Sequence, residues 1–430
     1  MFKIDLKSAL IKSASIYTFA NILNASVPFL LLPVLTRYLS PLDYGILATF
    51  QVLVGLFSPI VGLNMNGAVT RQYYERDNIN FSEYLTNSLL LVISSAIISS
   101  LLIFIFSRQI SGVSEFPENW LWSIVVVNFF QIIISITLSL WQVKSKPILY
   151  GVFQNLQTVF NFGLSILLII VFGMNWQGRI YAQVVVTFIF GIAGFYVFYR
   201  NNLLKLKFNK EYIRHALKFG LPLIPYTFTG WVMLSTDRIF INKMIGLSAT
   251  GLYSVAYQIT LIIGLIQVSF NNAWIPWLYE KLKENNLNVK SKIVKFSYIY
   301  VVLNFVFAFI LSTFSPWFLK FFLGPRFQGI GIFIFWLALA QAANGIHYIT
   351  VNYIFYHNKN EYLTVEAVIV ALIHIPLTFI LIHFNQAVGA AQAMFLSSLL
   401  SALITFYFAA KVQKMPWLLN FRYGIHKLTN

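Results

Sequence analysis

Cysteine is absent from all 430 residues, and charge is scarce. The first absence removes disulfides, thiolate metal sites, iron–sulfur clusters and a cysteine nucleophile together. The second excludes more. Charged residues make up 10% of the chain, against roughly a quarter in ordinary soluble domains. Hydrophobic residues make up 58%, and mean hydropathy is +0.74. A soluble protein of this length would expose far more ionic surface. Acidic groups are the scarcest, 13 against 30 Lys and Arg, for a net charge of +17. In a soluble chain that balance would suggest nucleic acid. Here basic loops held at one membrane face and drawn to anionic lipid account for it, so no nucleic-acid partner is expected. No Walker loop, nucleophile elbow, carboxylate dyad or metal-ligand pair appears. Neither an enzyme, nor a cofactor or metal, nor an ATP-driven pump is therefore expected.

What is present is a succession of long apolar runs from Ser13 to Val412. A helix needs roughly 20 apolar residues to cross a hydrocarbon core about 30 Å thick. Twelve segments fit: about 13–35, 44–66, 84–106, 120–141, 148–172, 179–199, 216–236, 251–273, 294–314, 329–355, 363–383 and 388–411. The fold class is thus all-α integral membrane. The N-terminal lysines before the first run suggest a signal peptide, but a run reaching Leu35 exceeds the h-region of about 7–15 residues, and it reads as an uncleaved first helix. With the N-terminus inside, 23 of the 30 basic residues fall in cytoplasmic gaps and seven outside (Arg37, Arg108, Arg179, Arg238, Lys243, Lys320, Arg326). That asymmetry places both termini in the cytoplasm.

The largest cytoplasmic gap divides the chain into two six-helix lobes, residues 1–200 and 201–430, joined by a basic linker over 201–216 and ending in a basic tail. Leu206, Phe208, Ile213 and Leu217 alternate with basic residues there, as in a short interfacial helix or a solvated linker. An internal repeat accompanies the division. Leu39-Ser40-Pro41-Leu42-Asp43-Tyr44-Gly45 and Ile245-Gly246-Leu247-Ser248-Ala249-Thr250-Gly251 open spans two and eight, aligning Gly45 with Gly251 and Tyr73 with Tyr279. Spans four and ten both end in an aromatic and a Lys-containing turn, Trp141–Lys146 and Phe355–Asn360. Duplicated halves are typical of transporters.

An ionic side chain at mid-membrane costs roughly 2.5–3.5 kcal/mol, and no span centre carries one. Glu366 lies toward the cytoplasmic end of span eleven, Asp237 and Arg238 at the outer end of span seven, and Arg37 and Asp43 flank the first outer loop. Uncharged polar residues recur instead at helical spacing: Tyr17, Asn21 and Asn24; Gln154, Gln157 and Asn161; Gln258, Gln267, Asn271 and Asn272; Gln341, Asn344, Tyr348 and Asn352. Either they bond helix to helix, or they line a water-filled cavity, as lipid does not tolerate unpaired amides. Amides with aromatics suit a sugar, whose hydroxyls donate and accept while its C–H faces pack on rings. His347 and His374 are packed imidazoles or proton carriers.

Several segments together resemble the polysaccharide-repeat (Wzx-type) flippases of the multidrug/oligosaccharidyl-lipid/polysaccharide exporter superfamily. They are Arg37–Gly45; Lys218-Phe219-Gly220-Leu221-Pro222-Leu223-Ile224-Pro225; Asp237-Arg238-Ile239-Phe240-Ile241; Gly251–Gln258; and Leu323-Gly324-Pro325-Arg326-Phe327. The resemblance covers essentially the whole chain. It implies two six-helix lobes around a central cavity and alternating-access translocation of an undecaprenyl-diphosphate-linked oligosaccharide for O-antigen or capsule synthesis in the bacterial inner membrane. Partners would be that lipid-linked substrate, membrane lipids, and the polysaccharide polymerase and chain-length machinery. Arg37, Arg71 and Arg238 are the cations matching or near those the family uses for anionic heads, because Arg pairs bidentately with phosphate; loop and headgroup anchoring is the other role for each. A drug or cation antiporter of the same fold would want a buried carboxylate in span one. A lipid II flippase would want more spans and more cavity cations. A membrane polymerase or glycosyltransferase would want a substantial outer loop, and every outer gap here is short.

Overall fold

Unbroken runs of Leu, Ile, Val and Phe satisfy their backbone groups within one helix, which is what lipid demands. The computed structural model describes residues 23–417 apart from 25, 28 and 285, and not the side chains of 226 and 229. Over these residues it is helical without strands. Helix α1 (Phe29–Tyr38) leads to α2 (Pro41–Gly62), α3 (Met65–Tyr73), α4 (Phe81–Ile105), α5 (Ser107–Ser114), α6 (Trp122–Val143), α7 (Pro147–Ile166) and α8 (Trp176–Arg200). Then follow α9 (Lys210–Gly220), α10 (Ile224–Met244), α11 (Leu247–Lys283), α12 (Leu287–Phe322), α13 (Gly331–Tyr356) and α14 (Glu361–Val412).

Among the described residues nine helices are long and apolar enough to cross a bilayer. One of them, α14, is two: Asn385 and Gln386 leave helical geometry, Gln386 with φ 51°. The 21-residue α10 and the short α1 bring the architecture to about the twelve spans expected. Residues 13–22 of the first expected span lie outside the described region. Large apolar side chains such as Leu101, Phe104, Val302, Leu303 and Phe309 stand exposed on the helices, as a lipid-facing surface requires.

Packing divides the chain into two compact units, one running to Ser254 with Phe322–Phe327 added, the other comprising Val255–Phe321 and Gln328 onward. In the first, Phe50, Val61, Phe116, Ile124 and Ile180 form one core cluster and Met65, Tyr84, Leu85, Ile136 and Phe198 another. In the second, Trp274, Leu278, Ile293, Tyr353 and Ile354 pack together.

Several segments that carried the family resemblance converge within the first unit. Ser40 caps α2: its hydroxyl accepts from Asp43 N while its own N–H and hydroxyl donate to Asp43 Oδ2 at 2.8 and 2.6 Å. Gly45 then lies against the start of α11, where a Cβ would sit 1.9 Å from the Leu247 carbonyl oxygen. A Cβ on Gly251 would in turn sit 1.8 Å from the Pro41 carbonyl oxygen. The two glycines that the repeat aligned thus pack reciprocally. Gly324 closes on Thr36, donating to its Oγ1 at 3.1 Å, and Phe327 meets Tyr44 edge-on at 5.2 Å. Asp43, read from sequence as a loop-flanking acid, is buried in its cap.

The span expected over 216–236 is displaced. Gly220 and Pro222 end α9 and open a turn over Leu221–Leu223, so the long helix here is Ile224–Met244. Asp237 and Arg238 consequently lie within that helix, Asp237 only 2% exposed. The linker is partly helical and partly strapped down. Asn87 donates to Lys207 O and accepts from Asn209 N, at 2.8 and 3.0 Å, and Glu83 pairs with Lys205 at 2.8 Å. Leu206 and Phe208 point away, 88% and 74% exposed.

Candidate functional site

The amide stripes fall on helices of both units, each with its own geometry. In the first unit, α7 carries one face of them. Asn24 accepts a hydrogen bond from Thr158, which also donates to Gln154 O. Gln157 donates to Gln131 of α6 at 3.3 Å. Asn161 accepts from Arg179 of α8, and Arg179 also donates to Ser165 at 2.9 Å while lying 4.5 Å from the Phe162 ring centroid. A separate amide pair, Gln51 with Gln183 at 3.0 Å, links α2 to α8. Gln154 Oε1 is buried and takes no hydrogen bond among the described residues. Asn21 and Tyr17 lie outside the described residues.

Arg179 joins this polar face, although sequence reasoning did not place it there. Its position before the sixth apolar run made it an outer-loop charge. Helix α8 starts earlier, at Trp176, so Arg179 occupies its first turn and reaches back to the amide face of α7. The signal available in the sequence was the 18-residue spacing to Asn161 across a short turn.

In the second unit the polar residues of α11, α12 and α13 are mostly enclosed. Gln267 donates to Asn304 Oδ1 and to Gln341 O, both at 2.7 Å. Gly345 permits this: a Cβ there would sit 3.0 Å from Gln267 Nε2. Asn352 donates to Asn271 Oδ1 and Tyr348 O, both at 2.8 Å. Gln341 is 6% exposed and Asn352 is buried. Asn344, Tyr348 and Gln258 are half-buried, and Asn272 is exposed. His374 is buried with Nδ1 2.9 Å from Ser397 Oγ. His347 Nδ1 lies 3.0 Å from Thr405 Oγ1, and Ser401 donates to Glu366 at 2.5 Å.

The three candidate arginines occupy different settings. Arg37 is exposed. Arg71 is exposed and lies 5.8 Å from the Phe219 ring centroid. Arg238 donates to Ser254 Oγ at 3.3 Å and to Leu234 O. Among the described residues no group of three or more His, Asp or Glu could hold a metal ion. Within each unit these side chains offer mainly neutral hydrogen-bond donors and acceptors.

A family described as polysaccharide biosynthesis protein matches residues 10–282. An uncharacterized membrane protein of Haemophilus influenzae is 26% identical over 376 residues, covering 85% of this chain and 89% of its own length. An inward-facing multidrug-resistance MATE family transporter of the MOP superfamily superposes with TM-score 0.74 at 12% identity, over 90% of this chain and 94% of that one. The lipid II flippase MurJ, in an inward closed conformation, gives 0.72 at 15% identity, over 93% and 87%. The two structural likenesses establish a MATE-like membrane fold.

Proposed function

Since the chain belongs to the polysaccharide biosynthesis protein family, we propose that it flips a lipid-linked oligosaccharide across the membrane by alternating access. The carrier is undecaprenyl diphosphate and the head an O-antigen or capsule repeat, moved from the cytoplasmic to the periplasmic leaflet of the bacterial inner membrane. Residues 1–200 and 201–430 serve as the two six-helix repeats, both termini cytoplasmic, and the polymerase and chain-length machinery receive the product.

The observation that carries this reading is the pairing of amides with one another. Gln51–Gln183 and Gln131–Gln157 are exposed pairs. Exchanging such a bond for one to a sugar hydroxyl changes the net hydrogen-bond energy little, because partners are traded rather than lost. Asn24, Gln154, Gln157 and Asn161 are half-buried in the first unit, and Gln258, Asn344 and Tyr348 in the second; we assign each group separately to sugar hydroxyls. Gln267, Asn271, Gln341 and Asn352 bond α11, α12 and α13 to one another and hold the second unit's group in register. Arg179, fixed by Asn161 and Ser165, is the cation assigned to an acidic group on the head, and Arg37, Arg71 and Arg238 are assigned to the anionic carrier near the membrane faces.

A deletion strain tests it. Lipid-linked single repeats should accumulate in the cytoplasmic leaflet and be lost from the outer one. Accumulation of single repeats already on the outer face would overturn flipping and point to polymerisation.

A further inference from the structure

Three turns of the first unit meet on the face that the charge asymmetry assigns to the cytoplasm: the end of α3 with the residues after it, the α6–α7 turn, and the end of α8. They line two adjoining, solvent-open clefts that share Lys144 and Leu203. The larger, about 810 Å³, is polar, with Tyr73, Arg76, Asn78, Asn80 and Ser82 in its wall. The smaller, about 360 Å³, sets Lys144, Lys146 and Arg200 beside Trp141, Leu149 and Tyr196.

The cations are held together without acidic partners. The Arg76 guanidinium lies 4.6 Å from the Tyr73 ring centroid and Lys144 Nζ lies 5.7 Å from the same centroid. Both cations thus lie against one ring, whose quadrupole attracts positive charge. Of the residues lining the two clefts only Asp77 is acidic, and among the described residues no Asp or Glu lies within ion-pair distance of Arg76, Lys144, Lys146 or Arg200. The neighbouring Lys205 and Lys207 differ, both pairing with Glu83. Lys144 is half-buried, and burial first, then the charges of Lys146 and Arg76, hold its ammonium below the usual lysine range. Positive-inside retention accounts for basic residues on this face. It does not require Arg76 and Lys144 to converge on one ring.

We propose that Arg76, Lys144, Lys146 and Arg200 bind the phosphate of an anionic lipid, with its chain along Trp141, Leu149 and Tyr196. A phosphate supplies the counter-charge this cluster lacks, and Arg with Lys bind it through charge-assisted hydrogen bonds. The apolar cleft beside the cations selects a lipid over free phosphate. Ile148, Leu149 and Tyr196, at the cleft or next to it, are exposed, so a chain has a path from the surrounding bilayer. The site does not depend on what the protein transports, since a resident lipid binds whether or not a glycan is moved.

The test is native mass spectrometry of the full chain in detergent, titrated with phosphatidylglycerol or with phosphatidylcholine of the same chains. Phosphatidylglycerol should bind about tenfold more tightly, the size of one charge-assisted contact. In the triple variant Arg76→Gln, Lys144→Gln, Arg200→Gln this preference should vanish, while Lys290→Gln, Lys292→Gln, Lys295→Gln, with the same charge change, keeps it. Leu149→Glu should weaken phosphatidylglycerol without altering the thermal midpoint. Equal binding of both lipids, or equal loss in both triple variants, would overturn the site. Displacement of the lipid by millimolar pyrophosphate, with Leu149→Glu silent, would overturn the lipid assignment and leave a free-phosphate site. All these readings come without transport, so a failed flipping assay leaves them standing.

Discussion

Gly45 and Gly251 show what a repeat means physically. Their alignment across 206 residues was visible in the sequence, but their mutual contact was not, because it depends on how two helix starts cross. Each lies against a carbonyl at a distance no side chain tolerates. Gly45→Ala or Gly251→Ala should therefore cost about 1–3 kcal/mol or more through forced backbone movement. A lowered thermal midpoint in detergent checks this. Gly163→Ala, in α7 with open space around the new methyl, should raise stability slightly, by about 0.5–1 kcal/mol. Arg179 makes the complementary case at the candidate site. Its loss should not unfold the protein, as it is half-buried on α8. Arg179→Gln should lower export about tenfold, the worth of one charge-assisted bond, with membrane levels unchanged. Equal export would return Arg179 to helix packing.

Helix ends explain most differences between sequence and structure. The hydropathy of 216–236 continues smoothly through Gly220-Leu221-Pro222, so periodicity alone saw one span. Proline removes a backbone donor and clashes with the preceding turn, which stops α9 and restarts the chain as α10. The stripes were readable because spacings of three and four place residues on one face. Which of them would be enclosed was not, since burial of Gln267 and Asn352 is decided by neighbours such as Asn304 and Gly345 on other helices. The strapped linker was unreadable for the same reason: Asn87 sits mid-run in α4, 120 residues before the Lys207 carbonyl it holds. Asn87 is buried and makes two hydrogen bonds to the backbone of that segment, whereas the Glu83–Lys205 pair is largely solvated on the lysine side. Exposed ion pairs contribute only about 0–1 kcal/mol, while a buried amide's bonds contribute about 0.5–1.5 kcal/mol each. Trypsin should therefore cut at Lys205 and Lys207 much faster in Asn87→Ala than in Glu83→Gln. The reverse order would show that charge, not the amide, ties the linker.

The distribution of charge and the turn inside α14 together predict how the chain threads the membrane. At about 1.5 Å per residue, 52 continuous helical residues would extend about 78 Å, more than twice a hydrocarbon core of about 30 Å. The break at Asn385–Gln386 turns that length into a hairpin. Gly389 folds back onto the Leu381 carbonyl, His374 meets Ser397 and Glu366 meets Ser401, each pair further from the turn than the last. Lys359 and Lys411, at the two open ends, are then on one side and Asn385 on the other. The positive-inside rule assigns the basic ends to the cytoplasm. The absence of cysteine makes this directly measurable, because single thiols can be introduced without removing any. Lys359→Cys, Asn201→Cys and Asn385→Cys all place a thiol at an exposed position. In intact spheroplasts a membrane-impermeant maleimide should label only Asn385→Cys, and the other two should react only after permeabilisation. Labelling of Asn385→Cys together with Lys359→Cys would mean that the hairpin does not cross, and the orientation drawn from 23 inner and seven outer basic residues would fall with it.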